Sequence, residues 1–139
     1  MTLSRRDALL AGLSAFGLAA IPSLSMAATL DELTAAFTNG AAVSADGITL
    51  TAPEIAENGN TVPVGVSAPG AVAILLLAAG NPTPSVATFT FGPASGTQMA
   101  ATRIRLAKTQ DVVALAKMAD GSIRQAQATV KVTIGGCGG

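Results

Sequence analysis

The 139-residue chain carries 8 basic and 8 acidic side chains, one cysteine and no histidine. Balanced charge leaves no footprint for nucleic acid and no polybasic patch for anionic lipid. Without histidine there is no Ser-His-Asp or Cys-His catalysis, and one cysteine makes neither an internal disulfide nor a multi-cysteine metal site. Nothing in the sequence calls for a cofactor. Hydrophobic residues make up 50%, enough for a core, but aromatics are only 3%. The core must be Val, Ile, Leu, Ala and a few Phe, in a chain whose size fits one domain.

Residues 1–27 read as an export signal. Ser4-Arg5-Arg6-Asp7 precedes a mildly apolar run, Ala8 to Ile21, which Pro22 ends. Ser25-Met26-Ala27 sets small residues where a signal peptidase reads, predicting cleavage near Ala27. The paired arginines fit a twin-arginine signal, although Ala8 stands where that pattern has Phe; an ordinary secretory signal is the alternative. The run is short of the ~20 apolar residues of a membrane anchor. No cysteine near the cleavage site allows lipoprotein processing. The predicted location is the periplasm.

Residues 28–40 hold a short helix. Thr29 and Glu32 make a capping box. Leu30, Leu33 and Phe37 fall on one face, and Asn39-Gly40 supplies the stop. Packing on the domain is its expected role.

From Asp46 the period is two. Ile48 and Leu50 alternate with threonines, and a loop from Pro53 to Asn60 carries the Asn58-Gly59 turn signal. Val62, Val64 and Val66 alternate next, where Pro63 marks a strand start, an edge or a bulge. Val72 to Ala78 is a continuous apolar run, as in a buried strand. Asn81-Pro82-Thr83-Pro84 forms a rigid turn. Ala87, Phe89 and Phe91 alternate with threonines, and Gly92 to Gly96 breaks the chain again. Thr102, Ile104 and Leu106 face inward while Arg103 and Arg105 face out. Val112 to Met118 is followed by the hairpin turn Asp120-Gly121. Finally Ala126, Ala128, Val130, Val132 and Ile134 alternate with polar residues, the cleanest such run in the chain. About seven short strands over residues 41–134 predict an all-β fold, an antiparallel β-sandwich. Paired cysteines, a core Trp and a corner Tyr are missing, so it is immunoglobulin-like in architecture only.

Residues 135–139 read Gly135-Gly136-Cys137-Gly138-Gly139. Glycine lacks Cβ and reaches φ/ψ regions closed to other residues, which predicts a thin, flexible arm after the last strand. The thiol of Cys137 then sits at the tip of a narrow arm rather than in a pocket. A thiolate is a good nucleophile and can hold a sulfur-containing group through an S–S bond. Such an arm suits a sulfur handed into other proteins, and no catalytic residue is assigned to the chain itself. The bland alternative is a spare cysteine that only crosslinks chains of a structural sandwich.

Arg103 and Arg105 share one strand face and can dock an anionic group or a partner; a solvated face is the simpler reading. Glu54, Glu57 and Asp120 fall in separate turns, and no catalytic role is assigned to them. Few charges guard the strand edges, which predicts an apolar interface with a second sandwich subunit.

The terminal Gly135–Gly139 motif after Val130-Lys131-Val132-Thr133-Ile134 resembles the SoxY family of bacterial sulfur-oxidation carriers. The resemblance extends through Pro53–Gly59, Val62-Pro63-Val64, Asn81-Pro82 and Thr102–Ala107. It implies a heterodimer with the sandwich subunit SoxZ in the periplasm. It also implies attachment of the sulfane sulfur of thiosulfate to Cys137 by the haem proteins SoxXA. Release of sulfate by the hydrolase SoxB follows, and in some organisms oxidation of the remaining sulfur by SoxCD. A diglycine end also marks ubiquitin-like carriers that activate the terminal carboxylate, here Gly139. The export signal and the sheet-only reading after Asn39 argue against that alternative.

Overall fold

The computed structural model describes residues 28–133. The predicted export signal, Ile134 and the predicted glycine–cysteine arm lie outside the described residues. The capping box forms as the sequence predicts. Thr29 N–H donates to Glu32 Oε2 at 2.7 Å and Glu32 N–H donates to Thr29 Oγ1 at 3.3 Å. Helix α1 runs Leu30–Thr38 and ends at Asn39, whose left-handed φ of 52° turns the chain out.

The strands are β1 (Val43–Ser44), β2 (Thr49–Thr51), β3 (Ile55–Ala56), β4 (Val62–Ser67), β5 (Ala71–Ala78), β6 (Ser85–Thr90), β7 (Met99–Ile104), β8 (Gln110–Met118) and β9 (Ile123–Val132). One sheet has the order β1-β9-β8-β5-β6, with β3 also pairing β9; the other has the order β2-β4-β7. The two sheets pack as a β-sandwich. Alternating Val62, Val64 and Val66 of β4, with Ile104 and Leu106, meet Ile74, Leu76, Val112, Ala114 and Val130 of the larger sheet.

The apolar runs of β5 and β8 do not alternate because both faces are covered. Their other face, with Leu75, Leu77, Val113 and Leu115, lies with Ile123 of β9 under Leu30, Leu33 and Phe37 of α1. A strand buried on both sides reads as continuous hydrophobicity. Removing an apolar side chain from water contributes about 1.5–3 kcal/mol, so the helix is a lid over the central strands. At the far end of the lid, Lys117 Nζ stands 5.2 Å from the Phe37 ring centroid.

Two pairings depart from the antiparallel expectation. β1 and β3 are two-residue strands, and both run parallel to β9. β3 falls inside the stretch Pro53–Asn60 read as loop, because two residues are too few to show a period. Pro63 is the second residue of β4 and is itself exposed: β2 reaches only Gly65–Ser67, so Pro63 faces no strand on that side.

Leu115, fully buried beneath α1 on the central strand β8, tests this layering. Leu115→Ala is expected to lower stability by about 2–5 kcal/mol, read as an earlier midpoint in urea unfolding.

Candidate functional site

β9 delivers the chain towards Cys137, and its last residues are held from both sides. On one flank, Lys131 N–H donates to the Glu54 carbonyl at 2.9 Å, and Thr133 N–H donates to the Ala56 carbonyl at 3.0 Å. The Thr133 hydroxyl also donates to the Ala56 carbonyl, at 3.4 Å. On the other flank, Val132 N–H donates to Thr109 Oγ1 at 3.0 Å, and that hydroxyl donates to the Val132 carbonyl at 3.4 Å. The side chain of Val132 packs on the core.

Gly59 closes the junction. A Cβ there would lie 2.5 Å from the Leu106 carbonyl oxygen and 2.9 Å from Val132 Cγ1. Leu106 N–H donates to the Gly59 carbonyl at 2.7 Å. The segment after β3, the β7–β8 connection and the end of β9 thus meet at one point, where only a residue without a side chain fits.

The β7–β8 connection is itself braced. Asn81 Nδ2 donates to the Arg105 carbonyl at 2.8 Å, and Asn81 Oδ1 accepts from Ala107 N–H at 2.9 Å and from Gln110 Nε2 at 2.8 Å. Gln110, buried, also accepts from Gly80 N–H at 2.8 Å and donates to the Lys108 carbonyl at 3.0 Å. A buried amide with its partners satisfied fixes a loop; the same amide left unpaired costs about 1–3 kcal/mol. By sequence Gly59 and Asn81 showed only as turn signals and within stretches of the family resemblance, and Thr109 and Gln110 were not singled out. Their partners lie too far along the chain to be read locally.

Of the residues named from sequence, Cys137, Gly135, Gly136, Gly138 and Gly139 lie outside the described residues. Arg103 and Arg105 are both exposed, Arg103 opposite Pro63 on β7 and Arg105 just past its end. Glu54 and Glu57 flank β3 beside the end of β9, while Asp120 sits in the β8–β9 hairpin at its opposite end. The three carboxylates do not converge. Hydrogen bonds from the Ser122 hydroxyl, at 2.6 Å, and the Ser122 N–H, at 2.9 Å, hold the Asp120 carboxyl below the ordinary aspartate range. Among the described residues no group of three His, Cys, Asp or Glu side chains gathers for a metal ion. Nor is any helix among them long and apolar enough to cross a membrane.

Residues 33–137 match the family described as sulfur oxidation protein SoxY. The chain belongs to the SoxY family. The match covers most of the chain and runs to Cys137 itself. A solved SoxY-family structure, the sulfur carrier protein SoxY from Chlorobium limicola f thiosulfatophilum, is 37% identical. It aligns over 76% of this chain and 97% of that one with a TM-score of 0.66. A role as carrier in sulfur oxidation comes with the family. Superoxide reductase (neelaredoxin) from Ignicoccus hospitalis shares the fold alone, with 19% identity, 62% of this chain and 80% of that one covered, and a TM-score of 0.55. No curated protein sequence matches the chain.

Gly59→Ala is expected to lower stability by about 1–3 kcal/mol through overpacking. Amide exchange should rise at Leu106 and Val132 before it rises in β5. For Asp120, the depressed folded value means its contribution is present above the ordinary aspartate range and lost as pH falls through the folded value. In a carboxyl-carbon NMR titration, Ser122→Ala should return the Asp120 midpoint upward; an unmoved midpoint would remove Ser122 as the cause.

Proposed function

We propose that this SoxY-family chain is a periplasmic covalent sulfur carrier, exported by the twin-arginine route through residues 1–27. The observation that carries the reading is that the family match extends to the single thiol of the chain, Cys137, set between two glycine pairs. Without histidine the protein has no side chain suited to moving protons near neutral pH, so the chemistry falls to partner enzymes. It offers a nucleophile and a firm base from which to present it.

In this reading the Cys137 thiolate bonds to the sulfane sulfur of thiosulfate, giving a Cys–S–S–SO3− adduct, and two electrons leave to the haem proteins SoxXA. SoxB then adds water across the S–SO3 bond. Sulfate departs with release of two protons, and a persulfide stays on Cys137. SoxCD, where present, oxidises that sulfur further. Between stations the S–S bond keeps the intermediate from diffusing away, while remaining open to thiol exchange.

A SoxZ-like sandwich subunit is the proposed permanent partner. β6 is an edge strand with no charged residue, and Met99 of the edge strand β7 is exposed. Edges without charge or proline invite pairing. Glycines on both sides of Cys137 leave a profile slim enough for active sites of different shape.

Intact-protein mass spectrometry tests the reading. After incubation with thiosulfate and the oxidising partner, the protein should gain the mass of one thiosulfate moiety, mapped to Cys137 by digestion. Cys137→Ser should gain none. Modification at the Gly139 carboxylate instead, or none while the partner is active, overturns it.

A further inference from the structure

Asparagine followed by glycine occurs twice among the described residues, at Asn39-Gly40 and at Asn58-Gly59. Both asparagines are exposed, and Gly59 is half-buried. Such a pair carries a reaction of its own. The glycine backbone nitrogen, once deprotonated, attacks the asparagine side-chain amide carbon and expels ammonia, closing a five-membered succinimide. Water then opens the ring at either carbonyl, leaving aspartate or isoaspartate. Ammonia leaves and water enters, with nothing oxidised or reduced. A glycine nitrogen is the least hindered, because no Cβ stands beside it. The fold treats the two pairs differently. Asn39 is the helix C-cap and works through its backbone, with φ 52° and its N–H on the Ala35 carbonyl. Asn58 works through its side chain: Asn60 N–H donates to Asn58 Oδ1 at 3.0 Å. The turn closed by this bond contains both reacting atoms, Asn58 Cγ and Gly59 N. Its donor sits on the oxygen that becomes anionic as nitrogen adds to Cγ, where a positioned N–H stabilises the developing charge. Among the described residues, Gly59 N–H donates to no backbone acceptor, so no such bond has to break first.

We propose that Asn58 is a self-modification site, with the following peptide nitrogen as nucleophile and water as second reactant, and that its isoaspartate product opens the junction at Gly59. Isoaspartate routes the main chain through Cβ and Cγ, which adds one atom between residues 58 and 59. Gly59 cannot take up that length by moving inward. The Leu106 carbonyl oxygen lies 2.5 Å, and Val132 Cγ1 2.9 Å, from where a Cβ would stand. Moving outward stretches the 2.7 Å bond from Leu106 N–H to the Gly59 carbonyl. The segment after β3 then parts from the β7–β8 connection and from the end of β9. The new carboxylate also joins Glu54 and Glu57, both exposed on the same stretch. Aspartate at the same position adds the charge but keeps the ordinary backbone.

The reaction needs neither a partner nor a carried group, so its test is independent of the loading experiment above. The full chain is held at mildly alkaline pH, in buffer and in unfolding urea, and digested at intervals. Converted peptides gain the mass of water less that of ammonia, and an isoaspartyl methyltransferase marks the isoaspartate. In buffer, Asn58 should convert several-fold faster than Asn39, and in urea the two rates should converge. Equal rates in buffer, or the same preference in urea, would overturn the assignment. Asn58→Gln closes a six-membered ring far more slowly and should silence this peptide. A signal persisting there would move the reaction to Asn60 and overturn it too. In the isoaspartate form, amide exchange at Leu106 and Val132 should rise several-fold while β5 keeps its protection. Asn58→Asp, with the same charge on an ordinary backbone, should keep both amides protected. Native protection in the isoaspartate form, or equal loss in Asn58→Asp, would overturn the link to the junction.

Discussion

The end of β9 is the constraint on which the molecule depends. Val132 and Thr133 are fixed by backbone bonds to Ala56, a hydroxyl bond to Thr109 and packing of Val132 on the core. Each of those partners is itself secured. Ala56 is buried in β3, and Thr109 follows a connection braced by Asn81 and Gln110. The chain therefore passes from full restraint to a glycine-rich sequence within a few residues.

That junction explains several otherwise unrelated choices in the sequence. Gly59 serves a close approach of two backbones, since its φ lies outside the left-handed region that Gly40, Gly47, Gly70 and Gly121 occupy. β3 is short because it has only to satisfy β9's last donors. The helix, at the other face of the larger sheet, covers β5 and β8, so the sandwich stands without the aromatic ballast that this composition lacks.

Much of this was legible in the sequence, where local pattern carries the information. The capping box at Thr29 and Glu32, the alternating valines of β4 and the hairpin at Asp120-Gly121 all follow from nearest-neighbour chemistry. So did the placing of Arg103 and Arg105 outward, since alternation with Ile104 and Leu106 fixes their face. β1 and β3 were not legible, because a two-residue strand has no period and is defined by its partner. Asn81 showed only as part of a turn, although its amide ties together segments 24 to 29 residues away. Cys137 was read as the candidate carrier residue from its glycine setting and the family resemblance, and it lies beyond the described residues.

The pairing of β9 has a mechanical consequence. β3 and β1 run alongside it in the same sense and β8 lies antiparallel along nearly its whole length, so it is hydrogen-bonded on both edges. A load along the strand axis would meet those bonds together in shear, where a strand peeled sideways would lose them one by one.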